Sequence, residues 1–172
     1  MPEYRLEGIR ASDHVIDIGA NVGAFCIRAS SFSKHVVAVE PVTASLLKEN
    51  IRRNNASVQV IEGALGNGKP ATVVWDDTKV VTPTYQLRDL ISMAGGCDFL
   101  KSDCEGAEWL IDPEDLNSIR HIEMELHLPP ISGLPSISLL DYISRHYDFE
   151  IERKPVHATL GVLGILHAER ND

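Results

Sequence analysis

Short apolar runs alternate with amphipathic stretches along most of the chain. The apolar runs occupy 14–18, which is rich in β-branched residues, 35–39, 58–61, 98–102 and 120–126, and such short runs are typical of strands buried on both faces. Helical patterns occupy 22–32, 43–54 and 86–93, and Ser136 can cap a last helix in which Leu140, Ile143 and Tyr147 share a face. Because strands and helices alternate, we expect a parallel sheet with helices on both faces.

The remaining segments are less regular. Two further strands are predicted at 149–153 and 160–167, and an extra strand, placed as an antiparallel addition, at 71–75. The polar segment 76–84 and the proline-rich segment 128–135 are predicted to be loops. No internal repeat or linker interrupts the pattern, and a length of 172 residues favours one domain spanning 1–172.

Composition and charge limit the classes of partner that the protein is expected to bind. The formal net charge is −9, and the densest basic spots, Arg52-Arg53 and Arg153-Lys154, are two residues long, so nucleic acid is an unlikely partner. No stretch reaches the roughly 20 apolar residues of a membrane span, and the amino end lacks the order of a signal peptide. We therefore expect no membrane association and a cytoplasmic protein.

The three cysteines are predicted to be reduced. Cys97 and Cys104 flank a predicted strand, and a strand rises about 3.3 Å per residue. Seven positions therefore separate them by far more than the roughly 7 Å that a disulfide allows between Cα atoms. Together with Cys26 they make an odd count without metal-ligand spacing, which favours a reducing compartment.

Polar residues and glycines follow the first three strands, where parallel sheets bind ligands. The turn Asp17-Ile18-Gly19-Ala20-Asn21-Val22-Gly23 lets the backbone approach a ligand closely, and the helix after it offers free N–H groups. Glu40, 23 residues after Asp17, can accept hydrogen bonds from both hydroxyls of a ribose. A nucleoside-containing cofactor is thus predicted, held by residues after each of the three strands: Asp17, Gly19, Asn21, Gly23, Glu40, Pro41, Gly63 and Ala64.

The glycine spacing separates two cofactor classes. A dinucleotide turn has the pattern Gly-x-Gly-x-x-Gly, but Asn21 stands at the second glycine and Gly23 comes one residue early. An NAD-dependent dehydrogenase is therefore disfavoured. The turn instead matches Asp-x-Gly-x-x-x-Gly, the first motif of Rossmann-like S-adenosylmethionine-dependent methyltransferases. A glycine turn without a cofactor remains the structural alternative.

Two further segments indicate a particular family within this class of methyltransferases. Residues 84–90, followed by Leu100-Lys101-Ser102-Asp103-Cys104-Glu105-Gly106-Ala107-Glu108, resemble the FkbM-type methyltransferase family over about residues 13 to 128. Arg88 departs from the family, which more often has Asp there. The resemblance implies a three-layer Rossmann-like α/β fold whose seven-stranded sheet is mostly parallel with an antiparallel last strand. It also implies S-adenosyl-L-methionine as cofactor, S-adenosylhomocysteine as product, and methyl transfer to a hydroxyl of a small molecule or glycan.

Three residues at the next strand ends are predicted to be catalytic: Asp103, Glu105 and His127. Glu125 and His127 are two positions apart on a strand and so share a face. His127 is the predicted base because the ordinary pKa of histidine is near 6.5, and Asp103 is also expected to contact the cofactor. Glu108 is taken as a solvated helix residue. No metal is predicted, although these carboxylates and the histidine form an alternative set for a divalent ion.

Several alternatives stay open from the sequence. The same fold serves RNA or protein methyltransferases, and a non-catalytic cofactor-binding or scaffold protein would keep the same motifs. Trp75, Trp109 and Tyr85 line an acceptor pocket or belong to the core. With no separate acceptor domain, the acceptor must be recognised by two short loops, a partner chain or a second copy of this one. A homodimer is possible if the apolar segment 160–166 lies at a sheet edge.

Overall fold

The computed structural model of the protein describes residues 4–75, 77–152 and 161–171. The strands in these ranges are β1 (His14–Ile18), β2 (His35–Val39), β3 (Gln59–Ile61), β4 (Ala64–Leu65), β5 (Ala71–Trp75), β6 (Thr78–Thr82), β7 (Thr84–Tyr85), β8 (Phe99–Ser102), β9 (His121–His127), β10 (Tyr147–Glu152) and β11 (Val162–Arg170). The helices are α1 (Ala24–Ala29), α2 (Ala44–Arg53), α3 (Leu87–Ala94) and α4 (Ile137–His146), and 3-10 turns span Glu108–Leu110 and Pro113–Leu116.

Seven strands form the central sheet in the order β10-β11-β9-β8-β1-β2-β3. Neighbours from β9 to β3 are parallel, whereas β11 is antiparallel to both β9 and β10. The mostly parallel seven-stranded sheet with an antiparallel last strand is therefore confirmed. The carboxyl ends of β1, β2, β3, β8 and β9 meet along one edge of this sheet.

Two apolar clusters cover the two faces of the sheet. On one face, Ile16 and Leu100 pack with buried residues of α3 and α4 such as Leu90 and Ile143. On the other face, Phe99 packs with buried residues of α1, α2 and the amino-terminal segment. Because successive strand side chains alternate between faces, these buried runs produce three layers.

Helix boundaries follow the capping residues with small shifts. The side chain of Ser136 accepts a hydrogen bond from the Leu139 backbone N–H, and that of Asp112 accepts one from Glu114 N–H. Thr43 precedes α2 without a side-chain cap. Tyr147, predicted to extend the last helix, instead begins β10.

The region between β3 and α3 differs from the prediction. β5 pairs antiparallel with β6 in a separate hairpin instead of joining the main sheet, and β4 pairs parallel with β7. The prediction of a loop over 76–84 is therefore wrong for the described residues 77–84. β6 contains Thr78, Val80, Val81 and Thr82, whose β-branched side chains favour a strand, but its threonines and lysine gave the segment the polar character of a loop.

The position of β11 removes the reason given for a homodimer. β11 lies between β9 and β10, so it offers no free edge to a second chain, and β10 forms that edge instead. The three cysteines are free, as predicted. In the described part of the chain, no helix has the length and apolar character to cross a membrane. The ends of the predicted strands at residues 153 and 160, and the Arg153-Lys154 pair, lie outside the described residues.

Candidate functional site

A cavity of about 480 Å³ opens at the carboxyl edge of the sheet, between the strand ends and the β5–β6 hairpin. Eight of the predicted site residues line it: Gly19, Asn21, Glu40, Pro41, Gly63, Ala64, Asp103 and Glu105. Asp17, Gly23 and His127 are not in its lining. The cavity has the size of an ordinary small-molecule or cofactor site.

The turn after β1 needs glycine for a reason internal to the protein. Gly19 has a φ of +71°, and a Cβ placed there would lie 1.7 Å from the carbonyl oxygen of Asp103. Gly23, with a φ of +95°, precedes α1, and its Cβ would lie 2.7 Å from the Cδ1 atom of Leu47. The glycines therefore allow the loops after β1 and β8 and helix α2 to approach closely, which shapes the floor of the cavity.

Glu40 joins two of these turns. Its Oε2 atom accepts a hydrogen bond from the Asn21 backbone N–H at 2.9 Å. Its Oε1 atom accepts from the N–H groups of Val42 at 2.7 Å and Thr43 at 2.9 Å, at the start of α2. A carboxylate offers about four acceptor positions, so capacity remains for a hydroxyl of a ligand.

Asp17 acts from beneath the turn and not from the cavity wall. Its fully buried carboxylate accepts a hydrogen bond from the Cys26 N–H at 3.2 Å and lies 3.0 Å from the Nζ atom of Lys101. Burial raises the pKa of Asp17, and the charge of Lys101 partly offsets this. Burial lowers the pKa of Lys101, but the carboxylates of Asp17 and Asp103 raise it more, so the ammonium stays charged.

Lys101 is a site residue for which the sequence indicated no role. Its Nζ atom also donates to the Gly19 carbonyl at 2.9 Å and lies 3.9 Å from Asp103 Oδ2. Its only signal in the sequence is a lysine in the middle of an apolar strand, since a buried lysine needs a partner. Lys101 thus connects the turn after β1 to the loop after β8.

Tyr4 is a second site residue that the sequence did not reveal. Its hydroxyl lies 2.8 Å from Asp103 Oδ2 and 3.0 Å from Glu125 Oε2. A phenol has one proton to donate, so one of the two carboxyl groups must carry a proton for both contacts to be hydrogen bonds. Burial and the charge of Asp103 raise the pKa of Glu125, which favours Glu125 as the protonated one. Burial and both carboxylates also raise the pKa of the Tyr4 phenol above its ordinary value.

His127 lies among carboxylates behind the cavity wall. Its Nε2 atom is 3.5 Å from Glu105 Oε2 and 3.7 Å from Asp103 Oδ1, and its Nδ1 atom is 3.3 Å from Glu108 Oε1. Burial lowers its pKa, but Glu108 and the other two carboxylates raise the pKa of His127 to about 9 overall. The ordinary pKa on which its role as a base was predicted therefore does not hold. At neutral pH the imidazole is a cation.

Glu108 is buried, and its prediction as a solvated helix residue is wrong. Its carboxylate accepts hydrogen bonds from the backbone N–H groups of Gly106 at 2.9 Å and His127 at 2.5 Å. The indole of the neighbouring Trp109, also buried, donates to the His127 carbonyl at 2.7 Å. Glu108 and Trp109 thus fix the end of β9 beside the loop after β8.

The outcome for the three aromatic residues is divided. Trp109 belongs to the apolar core, and the partly buried Tyr85 packs against that core. Trp75, at the end of β5, lines the cavity and is 42% exposed. Of the three aromatic residues, Trp75 therefore fits the expectation of a side chain that lines a pocket.

Asp103, Glu125 and His127 each bring one ligand atom within 4.8 Å of the others, which is close enough to share a cation. Other groups of the protein already contact these three side chains or balance their charges. Tyr4 contacts both carboxyl groups, the Lys101 ammonium lies near Asp103, and the imidazole carries a positive charge. A metal ligand requires a neutral imidazole, so a divalent ion at this cluster would have to displace the proton that the neighbouring carboxylates favour on His127.

Comparison with known proteins identifies the fold. Neither a family model nor a curated protein sequence matches the chain. Among solved structures, an rRNA methylase from Streptococcus thermophilus has a TM-score of 0.64 at 9% identity, covering 97% of this chain and 92% of that one. An O-methyltransferase from Bacillus cereus in complex with S-adenosylhomocysteine has a TM-score of 0.57 at 16% identity, covering 91% and 73%.

A dimethyladenosine transferase from Plasmodium falciparum has a TM-score of 0.56 at 12% identity. The match covers 95% of this chain, which spans 57% of that longer protein. These likenesses confirm the Rossmann-like α/β fold of methyltransferases. At such identities they show the fold alone, so the FkbM resemblance stays a prediction.

Proposed function

We propose that the protein is an S-adenosylmethionine-dependent methyltransferase that methylates a hydroxyl of a small molecule or glycan. The observation that carries this proposal is the cavity itself, in which the glycine turn after β1 and the carboxylate of Glu40 meet at the carboxyl edge of the sheet. The Bacillus cereus neighbour, solved with S-adenosylhomocysteine, has the same fold. The motif Asp-x-Gly-x-x-x-Gly beginning at Asp17 supports the same cofactor.

The residues of the cavity fit such a cofactor. After its three backbone contacts, Glu40 keeps acceptor capacity for a ribose hydroxyl. Gly63 and Ala64 would border the base, and Pro41 and Asn21, in the same lining, would contact the ribose. When bound, the cofactor supplies an electrophilic methyl group on a sulfonium.

The catalytic work of the protein is then positioning and proton removal. Holding an acceptor oxygen in line with the methyl group makes the reaction effectively unimolecular. Asp103 lines the cavity and is the best-placed base for the acceptor's proton, in contact with Tyr4 and near Lys101. His127, as a cation, holds Glu105 and Asp103 in place instead of accepting the proton.

RNA methylation is the second candidate, because two neighbours of the same fold are an rRNA methylase and a dimethyladenosine transferase. The charges of the cavity count against it. Among the described residues of the lining, the charged side chains are the carboxylates Glu40, Asp103 and Glu105, with no lysine or arginine. Phosphates would be repelled there, since nucleic-acid sites depend on cations.

Titration calorimetry with S-adenosylhomocysteine tests the proposed cofactor site. Ala64→Leu fills the cavity and should weaken binding at least about tenfold, a difference of about 1.4 kcal/mol. Ala11→Leu makes the same exchange at an exposed turn before β1, on the opposite edge of the sheet, and should bind as the wild type does. Absence of wild-type binding, or equal affinity in both variants, would contradict the proposal and favour a protein without this cofactor.

A further inference from the structure

Exposed apolar side chains gather around the mouth of the cavity. Trp75, Leu110 and Ile131 line it and are nevertheless 42%, 38% and 65% exposed. Scattered exposed apolar residues need no explanation, whereas a group of them around a concave site marks a ligand surface. These three side chains come from separate segments of the chain, which the fold brings to one opening.

The hairpin wall has a defined inner face. Ala71, Val73 and Trp75 alternate along β5 and therefore share one face. Thr82, the cross-strand partner of Ala71, lies on the same face and is buried, so this face is turned toward the protein. Trp75 stands at the end of the strand, above the opening of the cavity.

The other wall of the cavity, which contains Leu110 and Ile131, is hydrogen-bonded to the loop after β8. The backbone N–H of Ile131 donates a hydrogen bond to the Gly106 carbonyl at 3.0 Å. Leu110 ends the 3-10 turn that contains the buried Glu108, and its N–H donates to the Ala107 carbonyl at 2.9 Å. Both apolar side chains thus stand next to the loop that carries Asp103.

The chemistry of the two walls selects the acceptor. The side chains of Val73, Leu110 and Ile131 offer no hydrogen-bonding group. On the hairpin wall, only the indole N–H of Trp75 and the hydroxyl of Thr72, which also lines the cavity, can bond to an acceptor. A glycan would leave most of its hydroxyls unpaired against such walls, which is costly on burial. The carboxylates of Asp103 and Glu105 in the same cavity would repel a phosphate or carboxylate group on the acceptor.

We infer that the methyl acceptor is an uncharged alcohol or phenol with an apolar body, bound between Trp75 and Ile131 with its hydroxyl toward Asp103. This inference rests on the proposed methyltransferase function. In the transfer, the acceptor oxygen forms a bond to the methyl carbon while the carbon–sulfur bond breaks and its electron pair goes to sulfur. The hydroxyl proton passes to Asp103.

Matched probes test the acceptor class by calorimetry, on protein with and without saturating S-adenosylhomocysteine. The probes are 2-naphthol, 2-naphthyl phosphate and methyl glucoside. We expect 2-naphthol to bind, the phosphate ester to bind at least about tenfold more weakly because of the cavity carboxylates, and the glucoside to show no binding.

Paired variants locate the binding. Trp75→Asp and Ile131→Asp should weaken 2-naphthol binding at least about tenfold. Val81→Asp and Leu134→Asp lie on the same two segments but outside the cavity lining, at 75% and 78% exposure, and should stay within about twofold of wild type. Far-UV circular dichroism spectra and urea unfolding midpoints close to those of the wild type should show that all four variants are folded.

The outcomes separate this inference from the proposed function. If S-adenosylhomocysteine binds but 2-naphthol does not, or the phosphate ester or glucoside binds better, the acceptor class is wrong and the cofactor site stands. Equal losses in the lining and control variants would mean adsorption to any apolar surface and would also overturn the inference. If S-adenosylhomocysteine itself fails to bind, both proposals fall.

Discussion

Replacing Lys101 by Met leaves the carboxylate of Asp17 without its cation in the middle of the sheet. Both side chains are buried, and the Nζ and Oδ1 atoms are 3.0 Å apart. Removing one partner of a buried ion pair costs about 3–5 kcal/mol, because the other charge is left uncompensated. For a domain of this size each kcal/mol lowers Tm by about 2–4 °C, so Lys101→Met should lower it by about 6–20 °C.

The stability lost in Lys101→Met should increase as the pH rises. Burial raises the pKa of Asp17, and the charge of Lys101 lowers it. Without Lys101 the net rise in the pKa of Asp17 is therefore larger. A carboxyl group whose pKa is higher in the folded state than in the unfolded state lowers the stability of the folded protein as the pH rises above the unfolded pKa of about 3.9. The deficit of Lys101→Met should therefore be larger at about pH 7.5 than at about pH 5, where more of Asp17 is protonated.

Urea unfolding of three variants gives the measurement. Asp17→Asn combined with Lys101→Met removes both charges and should recover most of the stability lost in Lys101→Met alone. Lys79→Met removes an exposed lysine of β6 and should change the free energy of unfolding by less than about 0.5 kcal/mol. A loss below about 1 kcal/mol for Lys101→Met, or a double variant no more stable than the single one, would refute the reasoning.

Two further predictions concern the loop after β8. Gly19→Ala should cost at least about 2 kcal/mol more in urea unfolding than Gly68→Ala, because both have positive φ but only the first Cβ meets another atom within 4 Å; equal losses would show that the loops separate without cost. Glu108→Gln should lower the titration midpoint of His127, followed by NMR, from about 9 by about one unit or more. The half-exposed Glu105→Gln should lower it less, and an unchanged midpoint in Glu108→Gln would contradict the assigned cause.

The main sheet was predictable from sequence because its parallel strands are buried on both faces. Runs such as 14–18 and 35–39 are mainly apolar, and residues that suit a turn, Gly19 and Glu40-Pro41, follow them. The strand β6 was missed because three of its five residues, Thr78, Lys79 and Thr82, are polar, and such a composition resembles that of a loop. The edge position of β10 was also inaccessible, since strand order depends on pairing between distant segments.

The residues that line the cavity at the strand ends were predictable from the sequence, whereas the surroundings of His127 were not. The expected role of His127 assumed an ordinary pKa, but that pKa depends on Glu108. Glu108 turns inward after Glu105 and Gly106, which have φ values of +54° and +99°, and the sequence pattern does not reveal this reversal. Tyr4 reaches Asp103 from 99 positions away, so no local pattern indicates the contact.

The contact of Tyr4 with Asp103 and Glu125 also bears on how the protein is handled at the bench. A purification tag fused directly before residue 1 would end four positions from Tyr4, whose hydroxyl contacts the carboxyl groups proposed to move the proton. Arg170 pairs with Tyr147 at the far edge of the sheet, away from the cavity. A tag at the carboxyl end, or one removed before assay, therefore keeps assays of the untagged and tagged protein comparable.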